Sequence, residues 1–214
     1  MKDIKIKLCG MMRKEDIEAV NEMMPDYVGF IFADTRRKIS YDKALAFKNM
    51  LNESIKAVGV FVDEEVSGVA KLVNDDIIDI VQLHGNEDNA YIAKLKSLCN
   101  KKSRIIKAAR VRRAEDIIMV HDINADYLLL DAYSKSLPGG TGESFNWDMI
   151  NSAYDSIPEY KRKPYFLAGG INIGNIDEAV SINPYGVDIS SGIETEGMKD
   201  KTKMTEIVRR IRHV

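Results

Sequence analysis

Short apolar runs alternate with stretches of helical period along the whole chain. The runs, rich in Val, Ile and Phe, are IKIKLC (4–9), YVGFIF (27–32), AVGVFV (57–62), IIDIVQLH (77–84), RIIKAA (104–109), YLLLDA (127–132), YFLAGG (165–170) and GVDISSG (186–192). Their lengths and β-branched content predict eight strands. Between them apolar residues recur at i, i+3, i+4 and i+7, as in Val66, Val69, Ala70 and Val73 or Met204, Ile207, Val208 and Ile211. That is the spacing of an amphipathic helix. Ser40 marks a helix start before a run to Leu51, and Glu64 and Glu65 precede the third helix, where acids complement the macrodipole. Shorter patterns place a fifth helix around Ala114 to Val120 and a sixth after Asp148.

Strand and helix pairs repeating every 20 to 30 residues or so require parallel strands with right-handed crossovers, and roughly eight such pairs close into a (β/α)8 TIM barrel. The competing α/β architecture, a doubly wound open sheet, has fewer strands at this length. It also carries a glycine fingerprint after its first strand, where this chain has CGMMRKED. No Pro, Gly or Ser-rich linker interrupts the pattern, so a single TIM-barrel catalytic domain spanning residues 1–214 is expected. One connection is long: after Asp131 the stretch AYSKSLPGGTGESFNW precedes the next helical pattern. Strand-to-helix loops of that length are commonly lids.

Composition narrows the class. The 214 residues are 45% hydrophobic and 30% charged, which suits a soluble globular protein with one sizeable core. A formal net charge of -2, with acids and bases interspersed, predicts no nucleic-acid partner. No apolar run approaches the roughly 18 to 20 residues of a membrane span, and no signal core opens the sequence, so a cytoplasmic protein without a membrane partner is expected. Cys9 and Cys99 fit neither a disulfide framework nor a CxxC site, and His84, His121 and His213 have no ligand spacing. No metal and no obligate protein partner is expected.

In a TIM barrel the site is built where the strands end. The first strand alternates Ile4, Ile6 and Leu8 with Lys5, Lys7 and Cys9, and ends at the thiol. The second leads into Arg36 and Arg37, the third into Asp63, the fourth into Gln82 and His84, the fifth into Lys107 and Arg110, and the sixth into Asp131. The seventh ends in Gly169 and Gly170, and the eighth in Asp188, Ser190, Ser191 and Gly192. Glycine-rich ends of the last two strands suit phosphate, because backbone N–H groups approach the anion closely there and the serine hydroxyls add donors.

Cys9 and Asp131 form the candidate proton-transfer pair. A buried cysteine is commonly a small apolar filler. At the last position of a strand, followed by Gly10, its thiolate is placed to take a proton. Asp131 terminates YLLL, so its carboxyl is expected to be part-buried, the setting of a general acid; the bland alternative is a capping carboxylate. Strands one and six are nearly opposite around a ring of eight, with the phosphate loops on the arc between them. Either Arg36 or Arg37 offers a fork for a carboxylate. Gln82 and His84 share a face and are candidate ligand contacts. Asp188 suits a sugar hydroxyl, while Trp147 and Cys99 fit packing roles.

KLCGMMRKED, VGFIFADTRRKIS, VGVFVD, VQLHGNED, LLLDAYSKSLPGGTGESFNW, FLAGGINIGNI and VDISSGIETEGMKD together resemble, in order and spacing, the motifs of the phosphoribosylanthranilate isomerase family of tryptophan biosynthesis. The resemblance covers essentially the whole chain. It implies a TIM barrel that performs an Amadori rearrangement of N-(5-phosphoribosyl)anthranilate to 1-(2-carboxyphenylamino)-1-deoxyribulose 5-phosphate, with no cofactor or metal. It implies that Asp131 protonates the ring oxygen and that Cys9 removes the proton at sugar C2. By the same match Arg37, three residues before Ser40, meets the anthranilate carboxylate. Gln82, His84 and Asp188 then fall on pocket positions, and Gly169, Gly170, Ser190, Ser191 and Gly192 in phosphate-binding segments. Two other readings remain: the histidine-pathway ribonucleotide isomerase, whose relatives use paired aspartates, and a sugar phosphate binding barrel without turnover.

Overall fold

The computed structural model describes residues 4–132 and 147–213. Eight strands follow one another around a closed barrel in chain order. They are β1 (Lys5–Cys9), β2 (Tyr27–Ile31), β3 (Lys56–Phe61), β4 (Ile80–Leu83), β5 (Arg104–Val111), β6 (Tyr127–Ala132), β7 (Tyr165–Leu167) and β8 (Gly186–Ile189). The helices are α1 (Lys14–Met23), α2 (Tyr41–Met50), α3 (Val66–Asn74), α4 (Asn89–Leu98), α5 (Ala114–Val120), α6 (Asp148–Asp155), α7 (Ile176–Ser181) and α8 (Lys201–Arg212). The fold is the (β/α)8 barrel that the alternating pattern predicts. Residues 133–146, almost all of the long connection after Asp131, lie outside the described residues.

The chain divides into two compact units, Lys7–Ile106 and Lys107–Val214 with Met1–Ile6. In the first, parallel pairing sets Cys9 beside Gly29, Gly29 beside Val58 and Val58 beside Ile80, and two residues on Ile31 beside Val60 and Val60 beside Gln82. Residues of one row share a face of the sheet. Phe30, one position out of phase, packs its ring 6.0 Å from Phe47 of α2, so that face meets the helices. Cys9, Ile31, Ala33 and Val60 cluster on the other.

Helix starts follow their chemistry. Ser40 Oγ accepts the Lys43 N–H and Asp88 Oδ1 the Tyr91 N–H, each satisfying a donor that the first turn leaves unpaired. Asp16, almost wholly buried, accepts the N–H groups of Met12 and Arg13 at 2.9 Å and ties down the turn between β1 and α1.

In the second unit Leu130 pairs with Leu167, and Leu167 with Val187. Tyr165, in phase with Leu167, sits 5.1 Å from Tyr154 of α6, so this face looks toward the helices. The opposite face carries Leu129 beside Phe166 and Phe166 beside Gly186, and the register continues to Asp131, Ala168 and Asp188. An α-carbon substituent at Gly186 would lie 2.7 Å from the Phe166 ring, so a glycine is needed there.

Several apolar runs are longer than the strands they contain. Ile77 and Ile78 are fully buried but donate their N–H groups to Leu72 O, closing the end of α3 before β4 begins at Ile80. YFLAGG and GVDISSG shorten at their ends because the chain turns, with positive φ at Gly169 and Gly170.

Candidate active site

The ends of β1, β2 and β4 carry a group of buried side chains. Cys9 is 5% exposed at the last position of β1. Gly29, its cross-strand partner, supplies the space: a Cβ there would sit 2.4 Å from Cys9 Sγ. Gly10 follows with φ 84°, and its N–H and that of Met11 both reach the Gly29 carbonyl, so the chain leaves the strand directly after the thiol. The apolar neighbours Ile31, Ala33, Val60 and Val62 surround Cys9.

After β2 the two arginines separate. Arg37 is buried, 8% exposed, whereas Arg36 is exposed. The loop that divides them is pinned by the Arg37 N–H on Thr35 Oγ1 and by Ile39 N–H on Ile31 O. On β4 and just beyond it, Gln82 Nε2 lies 3.3 Å from His84 Nδ1. Gln82 Oε1 is buried with no hydrogen-bond partner among the described residues.

Asp63, at the end of the third apolar run, is a brace. Its carboxylate takes the backbone N–H and side-chain amide of Asn86, while Glu87 takes the N–H groups of Asp63 and Gly85. The reciprocal bonds lock the loop that follows His84.

The ends of β6, β7 and β8 are built differently. Asp131 is 6% exposed and Asp188 half-buried, in one row of the sheet. After β7, Gly169 and Gly170 adopt φ 82° and 70°, a geometry that side chains rarely take. The Gly170 carbonyl is held by the side-chain amides of Asn172 and Asn175, and the Asn172 N–H by Asn175 Oδ1. After β8, Gly192 forms an isolated parallel bridge with Asn172, and a Cβ on it would fall 1.9 Å from the Ile171 carbonyl oxygen. The two glycine segments are thus joined through backbone. A two-stranded hairpin, β9 (Glu194–Thr195) and β10 (Met198–Lys199), follows where a barrel phosphate site commonly has a short extra helix. Glu196 and Gly197, with φ 51° and 80°, give it the positive-φ pair of a tight hairpin turn.

A family model for N-(5'phosphoribosyl)anthranilate (PRA) isomerase matches residues 6–210. The chain belongs to this family. It is 44% identical over 209 residues to an N-(5'-phosphoribosyl)anthranilate isomerase of Endomicrobium trichonymphae, covering 97% of this chain and 98% of that one. The crystal structure of phosphoribosyl anthranilate isomerase from Thermotoga maritima superposes with a TM-score of 0.85 at 27% identity, over 99% of this chain and 100% of that one. A phosphoribosyl anthranilate isomerase solved in complex with reduced 1-(o-carboxyphenylamino)-1-deoxyribulose 5-phosphate gives 0.81 at 27% identity, over 99% and 100% of the two chains.

Within the phosphoribosylanthranilate isomerase frame, three buried lysines stand out, of which the strand ends point to Lys107 but not to Lys7 or Lys199. Lys7 is fully buried two residues before Cys9, on the same face of β1; Lys107 is buried in β5; and Lys199 lies under the loop after β8. The signal for Lys7 was present in the alternation with Cys9, but a lysine in an alternating strand is commonly the solvent side. In a barrel covered by helices both faces are buried. Trp147 is buried, and Cys99 is part-buried at the end of α4, where burial pushes its thiol pKa up. Among the described residues no three His, Cys, Asp or Glu side chains are grouped as metal ligands would be, and no helix is long and apolar enough to cross a membrane.

Proposed function

We propose that this chain converts N-(5-phosphoribosyl)anthranilate to 1-(2-carboxyphenylamino)-1-deoxyribulose 5-phosphate. The observation that carries the proposal is the match to the isomerase family over residues 6–210, with a Cys at the end of β1 and an Asp at the end of β6. Asp131, as general acid, gives a proton to the furanose oxygen as the C1–O bond breaks. The anilino nitrogen lone pair forms the C1=N bond of a Schiff base. The Cys9 thiolate then removes the C2 proton, and the C2–H electrons form the C1=C2 bond of an enolamine while the nitrogen becomes neutral. Tautomerisation gives the 2-ketose. Positioned acid and base groups of this kind contribute roughly 100- to 10,000-fold each.

Arg37 receives the anthranilate carboxylate in this reading; its burial, in contrast to Arg36, supports the choice. Gln82, His84 and Asp188 contact the substrate. The unpaired Oε1 of Gln82 supports this, since leaving a buried polar atom unsatisfied costs about 1–3 kcal/mol unless a ligand supplies the donor. Gly169, Gly170, Ser190, Ser191 and Gly192 hold the phosphate. The chain acts as one catalytic domain, in keeping with a family match that runs unbroken over residues 6–210, and works in the cytoplasm without a protein partner, nucleic acid, cofactor or metal. The test is incubation with phosphoribosylanthranilate and a time course of its anthranilate fluorescence. Enzyme-dependent loss, with the carboxyphenylamino ketose as product, is expected; an unchanged time course would overturn the proposal.

A further inference from the structure

We propose that Lys199 is a positioning residue for the phosphate loop after β8, holding the Ser190–Ser191 peptide in its binding orientation from beneath. The inference rests on the reading of Ser190, Ser191 and Gly192 as phosphate-binding. Lys199 Nζ donates to the Ser190 carbonyl oxygen at 2.9 Å and to Glu194 Oε1 at 2.8 Å. The side chains of this ion pair are 0% and 5% exposed. A peptide unit is planar and trans, so its carbonyl and N–H point opposite ways. Fixing the Ser190 carbonyl on Lys199 therefore turns the Ser191 N–H away from the lysine. The following carbonyl, of Ser191, is held by the Glu194 N–H at 3.0 Å.

The hairpin that delivers Lys199 is itself fastened. Lys203 Nζ donates to the Glu194 carbonyl, Asp200 N–H to the Ile193 carbonyl, and Thr195 Oγ1 to Asp200 Oδ2. Asp200 also caps α8 through the N–H groups of Thr202 and Lys203. The loop is thereby keyed to a 12-residue helix. Glu194 balances the buried ammonium, so Lys199 acts on the phosphate through the peptide it orients and not through net charge.

A buried ion pair is weak evidence of stabilisation, and its replacement by apolar residues of similar size is often neutral. That property separates positioning from stability. In Lys199→Met the Glu194 carboxylate loses the lysine ammonium, and both thermal stability and phosphate affinity fall. In the double variant Lys199→Met with Glu194→Leu stability returns, while the Ser190 carbonyl keeps the longer contact from the Ile193 N–H, at 3.4 Å, but has lost the lysine donor. The expected result for the double variant is a KM for phosphoribosylanthranilate raised about tenfold, the scale of one charge-assisted hydrogen bond, with kcat changed less than about threefold. Binding of inorganic phosphate, followed by 31P line broadening, weakens by a similar factor. A folded double variant with wild-type KM and wild-type phosphate affinity would overturn the inference. Phosphate binding needs no turnover: weakened binding in the variant alongside a wild type inactive on phosphoribosylanthranilate would support the brace while defeating the isomerase reading.

Discussion

The strand ends of β1–β4 and those of β7–β8 perform their proposed tasks with different parts of the chain. At the first, the candidate groups are side chains, Cys9, Arg37, Gln82 and His84, and glycine makes room for one of them. At the second, the candidate groups are backbone, and side chains such as Asn172, Asn175 and Lys199 hold that backbone still. The difference matches the two needs of the reaction. Moving a proton requires one group of the right chemistry at one atom, whereas holding a phosphate requires several donors at fixed spacing, which peptide N–H groups provide without side-chain entropy. Changes at the proton-transfer groups, Cys9 of the first region and Asp131 at the end of β6, should therefore fall on kcat, and changes in the second region on KM.

The largest effect is expected at Asp131. Asp131→Asn keeps the shape but removes the acid, and turnover should fall by roughly 100- to 10,000-fold with little change in KM. Steady-state kinetics on phosphoribosylanthranilate read both; a loss confined to KM would break the division of labour.

Gly29→Ala sharpens it next. The new Cβ would stand 2.4 Å from Cys9 Sγ, so the thiol must rotate. Overpacking of this kind costs about 1–3 kcal/mol of stability. The expected kinetic signature is a fall in kcat of at least tenfold or so, since a displaced base loses its aim on the proton it must take.

Gly192→Ala is the matching change in the other region. Its Cβ meets a backbone carbonyl, that of Ile171, 1.9 Å away, so the bridge between the two glycine loops must open. KM should rise by about tenfold while kcat holds within a few fold, the loss being one of ground-state and transition-state binding alike.

Much of this contrast is legible in the sequence, but unevenly. The eight strands are readable because β-branched runs and helical periods alternate without interruption. Their limits are less so: Ile77 and Ile78 extend the fourth run, yet they serve the end of α3. Cys9 and Asp131 are found by asking what ends each run. Alternation does not choose between Arg36 and Arg37, because both lie in a loop outside the strand, where side-chain direction follows turns such as the one Thr35 makes. Lys199 is hidden for a related reason. It sits in a charged stretch, EGMKDK, that resembles a solvated loop, and only the fold brings Ser190 and Glu194 over it.

The smallest effect lies outside both regions and serves as a control. His121 is buried with Nδ1 on the Ile117 carbonyl at 2.7 Å, beside Tyr154, and Lys163 donates to its own carbonyl. Burial lowers its pKa, the Ile117 bond opposes that in part, and Lys163 adds to the lowering. An unfolded histidine, with a pKa of about 6.5, binds a proton that the folded one resists. Stability is therefore complete above that value and declines as pH falls through it toward the folded pKa. Urea melts from pH 8 to 5 should show the decline, and His121→Gln should flatten it without altering kcat at neutral pH.

The most direct measurement is the steady-state turnover of phosphoribosylanthranilate by Cys9→Ala. The proposed role of the thiol at C2 predicts kcat reduced at least about 100-fold, with KM within a few fold because the phosphate loops are untouched. A kcat within a few fold of the wild type would contradict it.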